Sequence, residues 1–86
     1  MVTIKRIRNL DIIINTRGEH YPIHIHVRNG KNKARVFMNY KWDLISGKFS
    51  KKDVAEVNAY LAKNREQIKK AYKRMMEKGE TPTKIG

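Results

Sequence analysis

The sequence predicts an α+β domain, an antiparallel sheet of three to four strands followed by two C-terminal helices. Three observations lead to this fold class. Segments rich in β-branched or alternating residues, separated by turn residues, fill the first half of the chain. The last third has apolar residues at helical spacing and no glycine or proline between Ser50 and Gly79. Strands that precede helices, rather than alternate with them, are typical of α+β domains.

Turn sequences delimit the predicted strands. An isoleucine-rich segment closes at Arg17-Gly18, and a histidine-rich segment opens at Pro22. Asn29-Gly30-Lys31-Asn32 is typical of a hairpin turn, so the strands on either side of it should pair antiparallel. The predicted strands are residues 10–16, 22–28, 33–39 and a short fourth at 42–45.

The helical part begins at Ser50, a favourable N-cap residue, and Asp53 is placed to face the first free backbone amides. An unbroken helix from there to Lys78 would span roughly 40 Å at 1.5 Å per residue, longer than a compact domain of this size is wide. We therefore expect a break near Lys63, where Asn64 takes an expected apolar position, and two packed helices. The periodic apolar residues are Val54, Val57, Leu61, Ile68, Tyr72 and Met75.

The chain of 86 residues has room for one domain. Residues 1–79 are predicted to form it, and residues 80–86 to form a polar C-terminal tail. A core this small leaves a homodimer open as an alternative to a monomer. The first residues lack the apolar core of a signal peptide, and the apolar runs are too short to cross a bilayer. We therefore expect a cytoplasmic protein without membrane contact.

Positive charge dominates the composition. Twenty Lys and Arg against eight Asp and Glu give a formal net charge of +12. Such an excess attracts polyanions, so nucleic acid is the predicted partner, and an acidic protein surface is the alternative. A solvated basic surface without a partner is the simpler interpretation. It does not explain why the excess charge is positive, because a surface of mixed charges would be equally soluble. The predicted nucleic-acid-binding residues are Arg28, Lys31, Lys33, Arg35, Lys69, Lys70, Lys73 and Arg74.

The three histidines of the chain, His20, His24 and His26, fall within seven residues. If this segment is a strand, His24 and His26 share one face while Ile25 and Val27 occupy the other. The apolar face predicts a core, which would leave the histidines on a surface. There they could transfer protons, bind a metal or contact phosphate, or they could serve only as hydrogen-bonding residues of the sheet.

Two chemistries follow from this cluster. His20, His24 and His26 could together ligate a divalent metal such as zinc, although no cofactor is required by any motif of the chain. Alternatively, the same histidines could be the catalytic residues of a ribonuclease, one taking the proton of a ribose hydroxyl and another protonating the leaving oxygen. Arg28 or Lys33 would then stabilise the charge that develops on the phosphate.

The chain resembles a family of small bacterial proteins, domain-of-unknown-function family 4160, whose hallmark is Asp-His-x-Pro-Pro-His-Phe-His-Val. The resemblance rests on Thr3-Ile4, Glu19-His20-Tyr21-Pro22-Ile23-His24-Ile25-His26-Val27, Gly30, Lys33-Ala34, Gly47-Lys48 and Gly79-Glu80-Thr81-Pro82. The chain departs from the family pattern at Glu19, Ile23, Ile25, Tyr72 and Asn64, the last replacing a frequent histidine. The resemblance implies a compact α+β domain from a toxin-antitoxin-like setting and no established reaction.

The sequence therefore predicts a small basic protein that binds RNA, single-stranded DNA or a cognate small protein partner in a toxin-antitoxin-like or defence-related system. The first alternative is a histidine-dependent ribonuclease or a metal-dependent hydrolase. The second is a phage-type inhibitor whose basic face binds an acidic protein surface.

Overall fold

The computed structural model describes residues 1–16 and 20–86, and an antiparallel sheet followed by one helix forms the fold. The elements are β1 (Val2–Ile7), β2 (Leu10–Ile14), β3 (His24–Asn29), β4 (Asn32–Phe37), β5 (Trp42–Ser46) and α1 (Lys51–Lys78). Each strand pairs with the next along the chain, so the strand order is β1-β2-β3-β4-β5. The predicted α+β class is confirmed. The predicted turn at Arg17 and Gly18 lies outside the described residues.

The strand count is a correction, because the described residues contain five strands rather than three or four. The additional strand is β1, where Ile4 is fully buried. Its register against β2 shifts between Thr3 and Lys5. A shift of this kind breaks the alternation of apolar and polar residues by which a strand is recognised in a sequence.

The prediction of two helices is also wrong, because a single helix, α1, runs from Lys51 to Lys78. Its N-terminus is the predicted one, because Ser50 and Asp53 form a reciprocal capping box. The backbone leaves helical geometry at Asn64, with φ −114° and ψ 16°, and the helix is kinked there. Asn64 does not start a second helix. Its side-chain amide donates instead to the carbonyl oxygen of Tyr60, at 3.0 Å, and so satisfies a group of the preceding turn.

The helix packs on one face of the sheet and encloses the core. Residues of β2, β3 and β4, among them Ile12, Ile25 and Val36, are buried against Leu61 and Ile68 of the helix. At the margin of this core the indole of Trp42 donates to the side chain of Asn58, at 3.0 Å. Burial of so many aliphatic side chains is the main stabilising contribution in a domain of this size. No helix in residues 1–16 and 20–86 has the length and apolar character needed to span a bilayer.

The segment predicted as a polar tail, residues 80–86, packs back onto the domain. Ile85 is buried in the core, and its backbone amide donates to the carbonyl oxygen of Ile4 at 2.9 Å. The hydroxyl of Tyr60 donates to the carbonyl oxygen of Ile85 at 2.8 Å. The tail therefore ties the end of the chain to the edge strand β1.

Candidate nucleic-acid interface

The sheet face opposite the helix carries the two strand histidines and three of the eight predicted nucleic-acid-binding residues. Three pairs of side chains lie directly opposite one another on β3 and β4, and directly opposed residues share a face of the sheet. These pairs are His24 with Phe37, His26 with Arg35, and Arg28 with Lys33. We call this surface the hairpin face. The assignment of His24 and His26 to the face opposite Ile25 and Val27 is thereby confirmed.

His24, however, is not on a surface, which corrects the prediction that this face leaves both strand histidines accessible. Its exposed fraction is 3 %. The imidazole lies among the rings of His20, His26, Phe37 and Tyr72, with centroids 5.1 to 6.2 Å away. Its Nδ1 lies 2.9 Å from the carbonyl oxygen of Pro22, which can only accept, so Nδ1 carries the proton. His24 is therefore an enclosed, oriented side chain.

His26 is half-buried and lies beside a small recess of about 170 Å³. The side-chain amide nitrogen of Asn15 lies 3.1 Å from Nε2 of His26, which makes this ring nitrogen an acceptor. Arg28 and Lys33 line the same recess. The lone pair of this nitrogen is engaged by Asn15, so His26 could receive a proton near a phosphate only after that hydrogen bond is broken.

His20 is exposed, and its carbonyl oxygen accepts a hydrogen bond from the hydroxyl of Tyr72 at 2.7 Å. The three histidines contact one another edge to face, His20 against His24 and His24 against His26. Within residues 1–16 and 20–86, no group of three or more His, Cys, Asp or Glu side chains is placed to hold a metal ion. The described residues thus bring the three histidine rings together in one cluster.

A cleft of about 510 Å³ opens where the end of β4 meets the second half of the helix. Its apolar part comes from the loop before β3 and the end of β4, and includes the half-buried ring of Phe37. Among the residues that the structure describes, its polar part includes three cations and no carboxylate. The lining residues are Pro22, Ile23, Phe37, Met38, Asn39, Lys41, Arg65 and Lys69.

Sequence reasoning identified only part of this cleft. Lys69 belongs to the predicted set, whereas Lys41 and Arg65 do not. Arg65 could have been found, because residues four apart in a helix share a face, and Arg65 and Lys69 have this spacing. Lys41 follows the turn after β4, and no local pattern of the sequence distinguishes it from other exposed lysines.

The structure divides the predicted nucleic-acid-binding residues into three groups. Arg28, Lys33 and Arg35 lie on the hairpin face, and Lys31 lies in the turn at its tip. Lys69 lines the cleft. The remaining helical cations, Lys70, Lys73 and Arg74, are exposed elsewhere on the helix. Lys70 and Arg74 lie beside the C-terminal segment 83–85.

In residues 1–16 and 20–86, most lysines have no carboxylate within ion-pair distance. Among the described residues the short pairs are made by arginines, such as Arg8 with Asp53 and Glu56, and Arg35 with Asp43. The lysine pair in that part of the chain joins Lys69 and Glu66 at 3.9 Å. Exposed ammonium groups without paired carboxylates keep their attraction for external anions.

The fold and these surfaces define a small basic α+β domain with a meander sheet, one kinked helix and a cationic, aromatic-lined cleft. The chain belongs to the family described as domain of unknown function (DUF4160), whose family model matches residues 10–73. Searches of the curated proteins and of the solved structures gave no match.

Proposed function

We propose that this protein binds RNA or single-stranded DNA along the hairpin face, with the cleft receiving one nucleotide. The cleft is the observation that carries the proposal. It combines an aromatic ring and aliphatic side chains with Lys41, Arg65 and Lys69, and none of the described residues that line it is acidic. Proteins that bind single strands combine these two elements, because bases stack on aromatic rings while cations neutralise the backbone.

The hairpin face extends this site. Phe37 at the cleft and Lys33 near the hairpin tip are four residues apart on β4, which is about 13 Å along a strand. Arg35 lies between them on the same face. Because Asp43 is paired with Arg35, a single strand that starts in the cleft and follows β4 could place a phosphate near Lys33.

The test is binding of a labelled RNA of roughly ten nucleotides, a length that a domain of this size could cover, measured by fluorescence anisotropy. The cleft variant Arg65→Glu/Lys69→Glu is compared with Lys51→Glu/Lys52→Glu, which changes net charge equally. The control residues are exposed in the first turn of the helix, roughly 20 Å along its axis from Arg65. We expect the cleft variant to lose at least about tenfold more affinity than the control.

A third variant separates stacking from charge. Phe37→Ala should weaken binding by about 1 to 3 kcal/mol, the range that one base–aromatic stack contributes. Equal losses from the two double variants, with none from Phe37→Ala, would mean that the whole surface charge attracts RNA without a site. Absence of binding at low salt would refute the proposed function.

A second candidate function, cleavage of the bound RNA, is favoured by the recess beside His26. That recess brings together His26, Arg28 and Lys33. His26 would act as the general base, and the two cations would stabilise the charge on the phosphate. Cleavage should persist in chelator and be lost in His26→Ala, as followed by gel analysis of the RNA. If the wild-type protein leaves the RNA intact, the second candidate function is wrong and binding is the only function proposed.

A further inference from the structure

The outer edge of the sheet at β5 has the character of a docking surface. In the described part of the chain, β5 pairs with β4 alone. Leu44 and Ile45 at its centre are 55 % and 54 % exposed. Leu44 lies opposite Ala34 on the helix side, whereas Ile45 lines the recess on the hairpin face. The strand therefore presents an apolar side chain on each side of an accessible edge.

The opposite edge of the sheet, β1, is charged and partly covered by another segment. β1 carries Lys5 and Arg6, and the backbone of Ile4 accepts a hydrogen bond from Ile85 of the C-terminal segment. Charges and covering segments are the usual means by which proteins prevent pairing at an edge strand. β5 contains neither lysine nor proline, although its register against β4 shifts at Ile45. One edge of this sheet is thus protected, and the other is left accessible.

The charges around β5 indicate what could pair with it. Lys41 precedes the strand, Lys48 follows it, and Lys33 lies opposite Ser46. The carboxylate of the strand, Asp43, is bound by Arg35 and so does not offset these lysines. The edge is therefore apolar at its centre and cationic at both ends, and an acidic strand complements it.

A second copy of this chain fits the edge less well. Two copies could pair through antiparallel β5 strands, with Leu44 of each copy opposite Ile45 of the other. In that register, Lys41 of each copy would lie opposite Lys48 of the other, so two lysines would face each other at each end of the strand pair. Directly opposed like charges destabilise a strand pair. Each copy also carries a net charge of +12, which opposes association.

We propose that β5 is the docking edge for an acidic β-strand of a protein partner, which adds to the sheet as a sixth strand. Main-chain hydrogen bonds along Trp42–Ser46 would supply affinity, and pairing of carboxylates with the flanking lysines would supply specificity. Apolar residues of the partner strand would cover Leu44 and Ile45. This proposal is independent of nucleic-acid binding in the cleft.

The test is an NMR titration of the ¹⁵N-labelled full chain with a synthetic seven-residue peptide that has adjacent valines at its centre and glutamates toward both ends. Adjacent valines point to opposite faces of a strand, as Leu44 and Ile45 do. Amide shifts are followed up to millimolar peptide, because an isolated strand binds weakly, and we expect saturable shifts concentrated at the amides of residues 42–46. A peptide with glutamine in place of glutamate should bind at least about threefold more weakly, since opposite charges across a strand pair stabilise it.

Two variants of the protein test the edge and its charges separately. Leu44→Lys/Ile45→Lys should abolish the localised shifts while leaving the rest of the spectrum unchanged, because both side chains are exposed. Lys41→Glu/Lys48→Glu should remove the preference for the acidic peptide. The matched control Lys63→Glu/Lys78→Glu reverses two exposed helical lysines, and it should retain both the shifts and the preference.

Three results would overturn the proposal. Acidic-peptide shifts spread over the helical lysines, with residues 42–46 unaffected, would indicate charge attraction only. Shifts at residues 42–46 that depend on protein concentration without peptide would assign the edge to a second copy. RNA that displaces the peptide from the cleft variant Arg65→Glu/Lys69→Glu as readily as from wild type would assign the edge itself to nucleic acid.

Discussion

The imidazole of His24 lies against the ring of Phe37, 5.5 Å between centroids, in directly opposed positions of β3 and β4. Phe37 also lines the cleft, so the histidine cluster supports the aromatic part of the proposed nucleotide site from behind. The ring of Tyr72 closes the other side of His24, 5.8 Å away. His24, one of the three histidines that the sequence proposes for catalysis, therefore packs against and supports other rings.

This arrangement predicts that His24→Ala destabilises the protein strongly. Its ring is 3 % exposed and its Nδ1 is bound to a carbonyl oxygen, so the variant loses packing, leaves a cavity and removes the hydrogen bond to Pro22. We expect the free energy of unfolding, measured in urea, to fall by about 2 to 4 kcal/mol. His20→Ala is the control, because His20 is exposed and bonds Tyr72 through its backbone; it should change stability by less than about 0.5 kcal/mol. Equal effects of the two variants would contradict the enclosed position of His24.

A second prediction concerns acid stability at the start of the helix. The guanidinium of Arg8 donates to Asp53 at 2.7 Å and lowers the pKa of that carboxyl, with further help from the backbone and side chain of Ser50. A lowered pKa in the folded state adds stability above the unfolded carboxyl pKa, and this stability is lost as pH falls through the folded pKa. Asp53→Asn should therefore destabilise at neutral pH and show a smaller decline than wild type below about pH 4. Glu77→Gln, at an exposed position, should follow the wild-type curve in urea unfolding between neutral and acidic pH.

Tyr60 should produce the opposite dependence in alkali. Burial raises the pKa of its phenol to about 12. Because the folded state favours the neutral phenol, its contribution is complete below the unfolded pKa near 10 and is lost as pH rises from about 10 to 12. Tyr60→Phe should lose about 1 kcal/mol at neutral pH, with the hydrogen bond to Ile85, and should decline less steeply in that alkaline range. Tyr40→Phe is the control at an exposed position, and a decline in Tyr60→Phe as steep as that of wild type would contradict the assignment.

The alternation of apolar and polar residues predicts the correct faces of β3, but it does not show what covers a face. Ile25 and Val27 are buried against the helix, as the pattern indicates. His24 is nevertheless buried on the other face, because Tyr72 and His20 reach it from the helix and from the loop before the strand. Contacts between such distant segments leave no local signal in a sequence.

The cleft could not be predicted either, because segments that are distant in the sequence form it. Its lining comes from the loop before β3, from residues 37–41 and from the second half of the helix, and only the fold brings these segments together. The capping box at Ser50, in contrast, depends on residues three apart and is predicted correctly. The kink at Asn64 is an intermediate case. Its position is evident from a polar residue in an apolar row, whereas the continuation of the helix beyond it depends on packing of Ile68 and Tyr72.

The last prediction concerns which side of the molecule contacts phosphates. Lys31 and Lys33 are exposed at the tip of the hairpin face, whereas Lys51 and Lys52 are exposed at the start of the helix. Lys31→Glu/Lys33→Glu should weaken RNA binding more than Lys51→Glu/Lys52→Glu, although both change net charge equally. It should also reduce the slope of log affinity against log salt by about 1.4, because each phosphate contact on a single strand contributes about 0.7. Anisotropy titrations at several salt concentrations measure both quantities. The reverse order of the two variants would move the contact surface from the hairpin to the helix N-terminus, and equal slopes in all three proteins would mean that neither pair of lysines contacts phosphate.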